Sequence, residues 1–326
     1  MRNEFRIIGM IVILILGIAH LPAVAEEYPT KPITVICPFA PGGIPDVLGR
    51  LFASVAEKHL GKPLVVVNKG GASGMLGMVV ASQAAPDGYT LALDASVIGN
   101  AIEGEIANGR KPPFTRSDFI PIGFFTLSPA VIDVPYDSPW KTLSDLIKDC
   151  KAKPDYYAFC SGGPFSGSHI SAEVFMKATG IKARHVPYTG GGPCLAGLVG
   201  GHVHFTNQFP ATSIPFARGN KLRILAVQGD RRLKSIPEVP TVKELGIAAE
   251  HLEGAGISVP QKTPPEIVKK LGEVFKKVVE DRAFITAVEN TGDDVRYMSA
   301  EEVVKFWRNE SEELSKLYKE LLGKSK

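Results

Sequence analysis

No stretch of this 326-residue sequence stays apolar over the roughly 20 residues that a membrane-spanning helix needs. The run Ile7–Ile18 is too short, and nothing later is longer, so the sequence offers no helical anchor. Arginine-rich stripes and alternating basic and aromatic residues are also missing. With 37 basic and 34 acidic side chains interspersed, the chain lacks the electrostatic footprint of a nucleic-acid binder. Cysteines number four and form no CxxC pair, which argues against a zinc cage. Neither a Gly-x-Ser-x-Gly elbow nor a phosphate-binding P-loop is present, and Gly70 to Gly77 does not fit the dinucleotide spacing. No catalytic residue, metal or cofactor is therefore expected.

The first residues read as an export signal. Arg2 and Arg6 form a basic head, Ile7–Ile18 an apolar core and Ala23-Val24-Ala25 a small-residue cleavage site, placing the signal peptide at 1–25 and the mature protein in the periplasm. Losing Arg2, Arg6 and Glu4 leaves 35 bases and 33 acids in 301 residues. No cysteine stands at the cleavage point to carry a lipid. In an oxidising compartment a disulfide can persist. Cys37 sits in an apolar strand pattern and reads as a buried hydrophobe. A bridge among Cys150, Cys160 and Cys194 is open, and the sequence does not choose the pair.

The mature chain alternates short β-branched runs, glycine-rich turns and helical patterns, the mark of an α/β protein with parallel sheets. One unit runs from Ile33–Cys37 into a helix with Val47, Leu48, Leu51, Phe52 and Val55 on one face, ended by Gly61. A second runs from Leu64–Val67 into a helix over Met75–Ala85, then strand Thr90–Leu93. The pattern restarts at Tyr156–Cys160, Ala183–Val186, Val203–Thr206 and Arg223–Val227. Thr263 to Glu266 and Ser299 to Glu302 read as capping boxes that open C-terminal helices, the first with proline at its start. These helices need the first sheet to cover. The chain is thus expected to cross twice, giving two lobes, 26–127 with 247–326 and 128–246, around a ligand cleft.

Each lobe supplies two glycine-rich strand-to-helix loops: Ala40 to Gly43 with Gly70 to Gly77, and Ser161 to Ser168 with Tyr188 to Gly192. Such loops gather beyond the carboxyl ends of parallel strands, where ligands bind. Glycine admits a ligand close to the backbone, and each helix start offers free amides. The loops carry few cations, so a small anion held by amides and by Ser73, Ser161, Ser166, Ser168 and Thr189 fits them. One such loop alone is more often a plain tight turn; the ligand reading rests on four in matching positions.

Tyr28-Pro29-x-Lys31-Pro32-Ile33, Pro38-Phe39-Ala40-Pro41-Gly42-Gly43-x-x-Asp46, Gly71-Ala72-x-Gly74-x-x-Gly77 and Ala85-Pro86-Asp87-Gly88-Tyr89-Thr90 resemble the Bug (TctC-like) receptors of tripartite tricarboxylate transporters. So do Leu60-Gly61-Lys62-Pro63, Val67-Asn68, Ser166-x-x-His169, Val186-Pro187-Tyr188-x-Gly190, Leu225-Ala226-Val227 and Pro237-x-Val239-Pro240-Thr241. The resemblance implies a two-lobed type II periplasmic binding-protein fold. It also implies a monomer that captures a di- or tricarboxylate or an aromatic carboxylate and hands it to a permease of two integral membrane subunits. The residues expected at the ligand are Phe39, Ala40, Gly42, Gly43, Ser73, Gly74 and Met75 from the first lobe. From the second come Ser161, Ser166, Ser168, His169, Tyr188, Thr189, Gly190 and Gln208, with Asp46 and Phe165 in support.

Departures fall in the second lobe, at Phe165, at His202 and His204, and at Gln208, and would suit a ligand without an amine. His202 and His204 alternate on the expected strand and could ligate a metal with His185 or Cys194, but two solvent-facing histidines on a strand edge explain them more simply. Two other functions fit the same frame: a loaded co-sensor for a membrane signalling protein, and a secreted enzyme acting on a carboxylated substrate.

Overall fold

Ile33–Cys37 forms strand β1, apolar except at Thr34, as a strand covered on both faces requires. Leu64–Asn68 (β2) and Thr90–Ala95 (β3) pair with it in parallel, one on each side. Helix α1, Ile44–Leu60, leads from β1 to β2 and stops at Gly61, whose φ of +68° is left-handed. Leu48, Phe52, Ala53, Val55, Ala56 and Leu60 are its buried apolar residues, whereas Val47, expected on that face, is 37% exposed. The inner flank is taken instead by Gly49, where Leu93 lies so close that a Cβ would meet its Cδ2 at 3.0 Å. A 3-10 turn, Ala72–Gly74, precedes α2, Met75–Ser82, and α3, Val97–Ala107, follows β3. The computed structural model describes residues 27–42, 44–95 and 97–323, so the leader, its cleavage point and Gly43 lie outside the described residues.

Strand β4, Phe119–Pro129, is separated by Ala130 alone from β5, Val131–Pro135, which already belongs to a second sheet. That sheet is built from α4 (Leu143–Ala152), β6 (Ala158–Ser161), α5 (Gly167–Thr179), β7 (Arg184–Pro187), α6 (Gly191–Val199), β8 (Phe205–Gln208), α7 (Pro210–Arg218) and β9 (Leu222–Val227). The chain then returns as β10, Leu252–Pro260, followed by α8 (Pro265–Glu280), α9 (Arg282–Asn290), β11 (Val295–Ser299) and α10 (Ala300–Gly323).

The strand orders are β11-β4-β10-β3-β1-β2 and β7-β6-β8-β5-β9. Besides β11, which edges the first sheet antiparallel to β4, each sheet holds one antiparallel strand next to its parallel set, β10 beside β3 in the first and β5 beside β8 in the second. In both cases that strand belongs to chain that has just left the other sheet. Where the two crossings pass, Ala130 N–H donates to His251 O at 3.2 Å, Gln228 N–H to Ala130 O at 2.7 Å and His251 N–H to Gln228 O at 2.8 Å. Both sheets lie within one compact unit that begins at Lys31.

The C-terminal helices cover the first sheet through aromatic packing: Phe52 of α1 lies 5.2 Å from Phe275 of α8, and Phe125 of β4 lies 5.8 Å from Phe284 of α9. Ser299 and Glu302 form the expected reciprocal cap, with Ser299 N–H donating to Glu302 Oε2 at 2.7 Å. Thr263 does not cap α8. Its hydroxyl donates to Pro260 O at 2.7 Å, and Pro264 stands at the cap with Pro265 at the first helical position. His202 and His204 precede β8 rather than alternating along it, because the chain turns at Gly200–Gly201 before entering the sheet. His204 is no solvent-facing edge residue either: its Nδ1 accepts the Ala158 N–H at 3.0 Å, and its ring meets Tyr157 edge-on.

Candidate functional site

In the first sheet the loops after β1 and β2 are knitted together. Gly70 lies against the first loop, where a Cβ would stand 3.3 Å from Ala40 N. Asn68, the last residue of β2, donates from Nδ2 to Phe39 O at 3.0 Å and to Asp46 Oδ1 at 2.8 Å. Asp46 Oδ2 accepts the Gly42 N–H at 2.9 Å, and Arg50 Nη2 stands 2.9 Å from Asp46 Oδ1. Burial pushes the Asp46 pKa up, but the hydrogen bonds from Arg50, Gly42 and Asn68 outweigh it and hold the carboxyl below its ordinary range. One carboxylate therefore ties the start of α1 to the loop before it and to the end of β2.

Gly42 adopts φ +81° with open space where a side chain would project, while its own N–H is taken by Asp46. Gly74, at φ +94°, closes the 3-10 turn that contains Ser73 and starts α2 at Met75. Phe39 and Met75 pack against the core around Ile36 and Met78.

The second pair of loops is tied more tightly. Cys160 of β6 and Cys194 of α6 form a disulfide, while Cys37 and Cys150 are buried free thiols. Tyr188 N–H donates to Ser161 O at 3.0 Å, and Gly162 packs against the Gly190–Gly191 peptide. The Tyr188 hydroxyl lies over α6 at Gly197, a position where any side chain would collide with it.

The expected serines serve the loop itself. Ser166 caps α5, accepting from His169 N–H at 3.4 Å and donating to Gly163 O at 2.7 Å. Ser168 Oγ accepts the Gly162 N–H at 2.9 Å, and buried Ser161 donates to Gly163 O at 3.0 Å. Thr189 stays exposed. Gln208 is buried beneath α6, its Nε2 3.2 Å from Cys194 Sγ.

Sequence reasoning weighed His185 only as a partner in a metal site, yet it completes this floor. Its Nε2 is 2.7 Å from Ser161 Oγ, and its ring stacks on His169 at 4.1 Å and on Phe159 at 4.9 Å. Burial, with His185 adding repulsion, pushes His169 down to about 3, and burial pushes His185 down to about 4. Both rings are therefore neutral near pH 7. Asn68 and Arg50 were likewise not assigned, although Asp46 and Arg50 carry the i,i+4 spacing of a helical ion pair.

Phe165, at φ +59°, turns toward the first sheet's helices. Its ring meets Tyr318 of α10 edge-on at 5.1 Å and rests on Gly104 of α3. Nearby, Gly167 leaves room for the Glu253 carboxylate, which accepts from Asn100 Nδ2 at 3.3 Å. Arg116 Nη2 pairs with Glu310 Oε2 at 2.7 Å, and Asp94 is wholly buried behind them. Burial outweighs the attraction of Arg116 and pushes Asp94 up to about 7 and Glu310 up to about 8. These acids carry no periodic signal, since each is a single polar residue in a buried strand or helix face. A cavity of about 640 Å³ opens beside Glu310, and none of the expected loop residues lines it. Among the described residues, no group of three or more His, Cys, Asp or Glu is placed to hold a metal.

Residues 48–322 match the tripartite tricarboxylate transporter family receptor. The chain is 32% identical to Protein BugT of Bordetella pertussis over 316 residues, covering 93% of this chain and 96% of that one. Its fold is similar to an R. palustris protein solved with adipate, with a TM-score of 0.82, 26% identity and coverage of 90% and 98%. It is also similar to MatC from Rhodopseudomonas palustris with bound malate, with a TM-score of 0.80, 25% identity and coverage of 89% and 100%. Two sheets with matching strand orders, paired loops at the strand ends and likeness over nearly the whole chain agree: this chain belongs to the receptors of the tripartite tricarboxylate transporter family, with their two-lobed type II binding-protein fold.

Proposed function

We propose that the mature chain works in the periplasm as a monomeric receptor whose lobes, 26–127 with 247–326 and 128–246, close on a small carboxylate. The ligand is a di- or tricarboxylate or an aromatic carboxylate, passed on to a two-subunit membrane permease. The observation that carries this reading is the pairing of glycine-rich loops at the strand ends of both sheets, in a chain similar to proteins solved with malate and adipate. The loops that carry Ala40, Gly42, Gly43, Gly74 and Met75 meet one end of the ligand. Thr189 and the 161–168 and 188–191 loops meet the other.

Catalysis has little to work with. Ser161 and His185 are in contact, but a ring held near 4 is a poor proton acceptor at neutral pH, and the serine proton is already given to Gly163 O. Native mass spectrometry of the purified protein, with calorimetric titration of malate, adipate, citrate, benzoate and aspartate, tests the reading. A carboxylate recovered unchanged and bound one to one is expected. Turnover of that ligand overturns it, and preference for aspartate over the amine-free acids overturns the expectation of a ligand without an amine.

A further inference from the structure

The cavity beside Glu310 lies in the seam between the lobes, far in function from the glycine loops. Its apolar wall comes from Ile170 and Val174 of α5, Leu252 at the start of β10, and Phe306, Leu314 and Leu317 of α10. At about 640 Å³ it has the size of a small-molecule site. Its polar lining includes two groups with unfilled capacity. Glu310 has one oxygen on Arg116, and its Oε1 makes no hydrogen bond among the described residues. His251 Nε2 is buried without a hydrogen-bond partner, 3.8 Å from Glu253 Oε1.

The charge of the lining selects the ligand. Glu250 and Glu313 join Glu310 on the wall, and Glu253, Glu103 and Asp94 stand behind it. Against them stand Arg116, already paired with Glu310, Lys177, paired with Glu320 at 2.7 Å, and Lys316. An anion entering here meets carboxylates, whereas a cation relieves their repulsion. Burial first, and then the neighbouring Glu253 and Asp94 carboxylates, push Glu310 up to about 8, so a cation that binds here also draws the proton off it.

We propose that this seam is a second binding site, taking an organic ammonium ion with an apolar body. The ammonium head donates to Glu310 Oε1 and His251 Nε2, and the chain lies against Val174, Leu252 and Phe306. Because α5 packs with the second sheet and α10 with the first, an occupant bridges both lobes and favours one separation between them.

The test is calorimetric titration of the full mature chain with n-hexylammonium, hexanoate and hexanol at neutral pH and low salt. Hexylammonium is expected to bind at least tenfold more tightly than the other two. Glu310→Gln, which keeps the shape, and Val174→Trp, which fills the cavity, are each expected to weaken it at least tenfold. Equal affinity for hexanol or hexanoate overturns the proposal, as does hexylammonium binding that survives Val174→Trp. That second variant decides the matter even where Glu310→Gln fails to fold.

Discussion

Asp46 shows how one side chain can tie a loop, a strand and a helix together. Three donors converge on it, from the loop before α1, from β2 and from the next turn of its own helix. Asp46→Ala leaves the Asn68 amide and the Gly42 N–H without this acceptor, so a loss of about 1–3 kcal/mol in urea unfolding is expected. Carboxylate affinity should fall with it. Since the folded pKa lies below the unfolded one, this contribution is present above about pH 4 and disappears as pH falls through the folded value. Gly42 tests the same loop differently. Its φ of +81° disfavours any L side chain although space is open, so Gly42→Val should abolish ligand binding while circular dichroism stays that of the native fold. Unchanged calorimetric affinity would refute the role given to the loop.

Among the elements, two glycines in helices make opposite predictions. Gly77 of α2 faces backbone, and a Cβ there would stand 2.7 Å from both Lys69 O and Pro38 Cα, so Gly77→Ala should cost about 1–3 kcal/mol in thermal unfolding. Gly272 of α8 meets nothing within 4 Å, so Gly272→Ala should stabilise by about 0.5–1 kcal/mol. The Cys160–Cys194 bridge, spanning 34 residues, fixes the end of β6 to the start of α6 and with them both loops of the second lobe. Replacing both cysteines by alanine should lower stability by about 2–4 kcal/mol, read in denaturant with and without reductant.

Elements of this kind were largely legible. Apolar runs and glycine stops located β1, α1 and the capped start of α10, because each signal is local. The disulfide partner was not legible, since Cys160 and Cys194 meet only when β6 and α6 stack. Neither were His185 and the outward turn of Phe165. A buried histidine looks like any other in sequence, and Phe165 is placed by Tyr318 and Gly104, residues distant along the chain.

For the whole molecule, buried titratable groups set opposing slopes of stability against pH. His169 and His185, held near 3 and 4 when folded, bind protons more readily in the unfolded chain, so they destabilise the fold as pH drops below about 6.5. Asp94, Asp293 and Glu310, pushed up to about 7, 6 and 8, bind protons more readily when folded, so stability falls as pH rises from about 4 toward those values. Above pH 6.5 the acids act alone. The melting temperature should therefore decline between pH 6.5 and 8, and Asp94→Asn should flatten that decline. A melting temperature that rises over this interval would contradict the assignment.

The placement of β10 bears on how the protein is born. It occupies the slot between β3 and β4, yet it is synthesised after the whole second sheet. Until residue 260 has emerged, β3 and β4 have no strand to join them, and the first lobe cannot close. The amino-terminal half thus stays incomplete while the middle of the chain can already fold, and the last segment made locks the first. Such an order keeps a nascent chain threadable for longer than one whose leading lobe folds as soon as it appears.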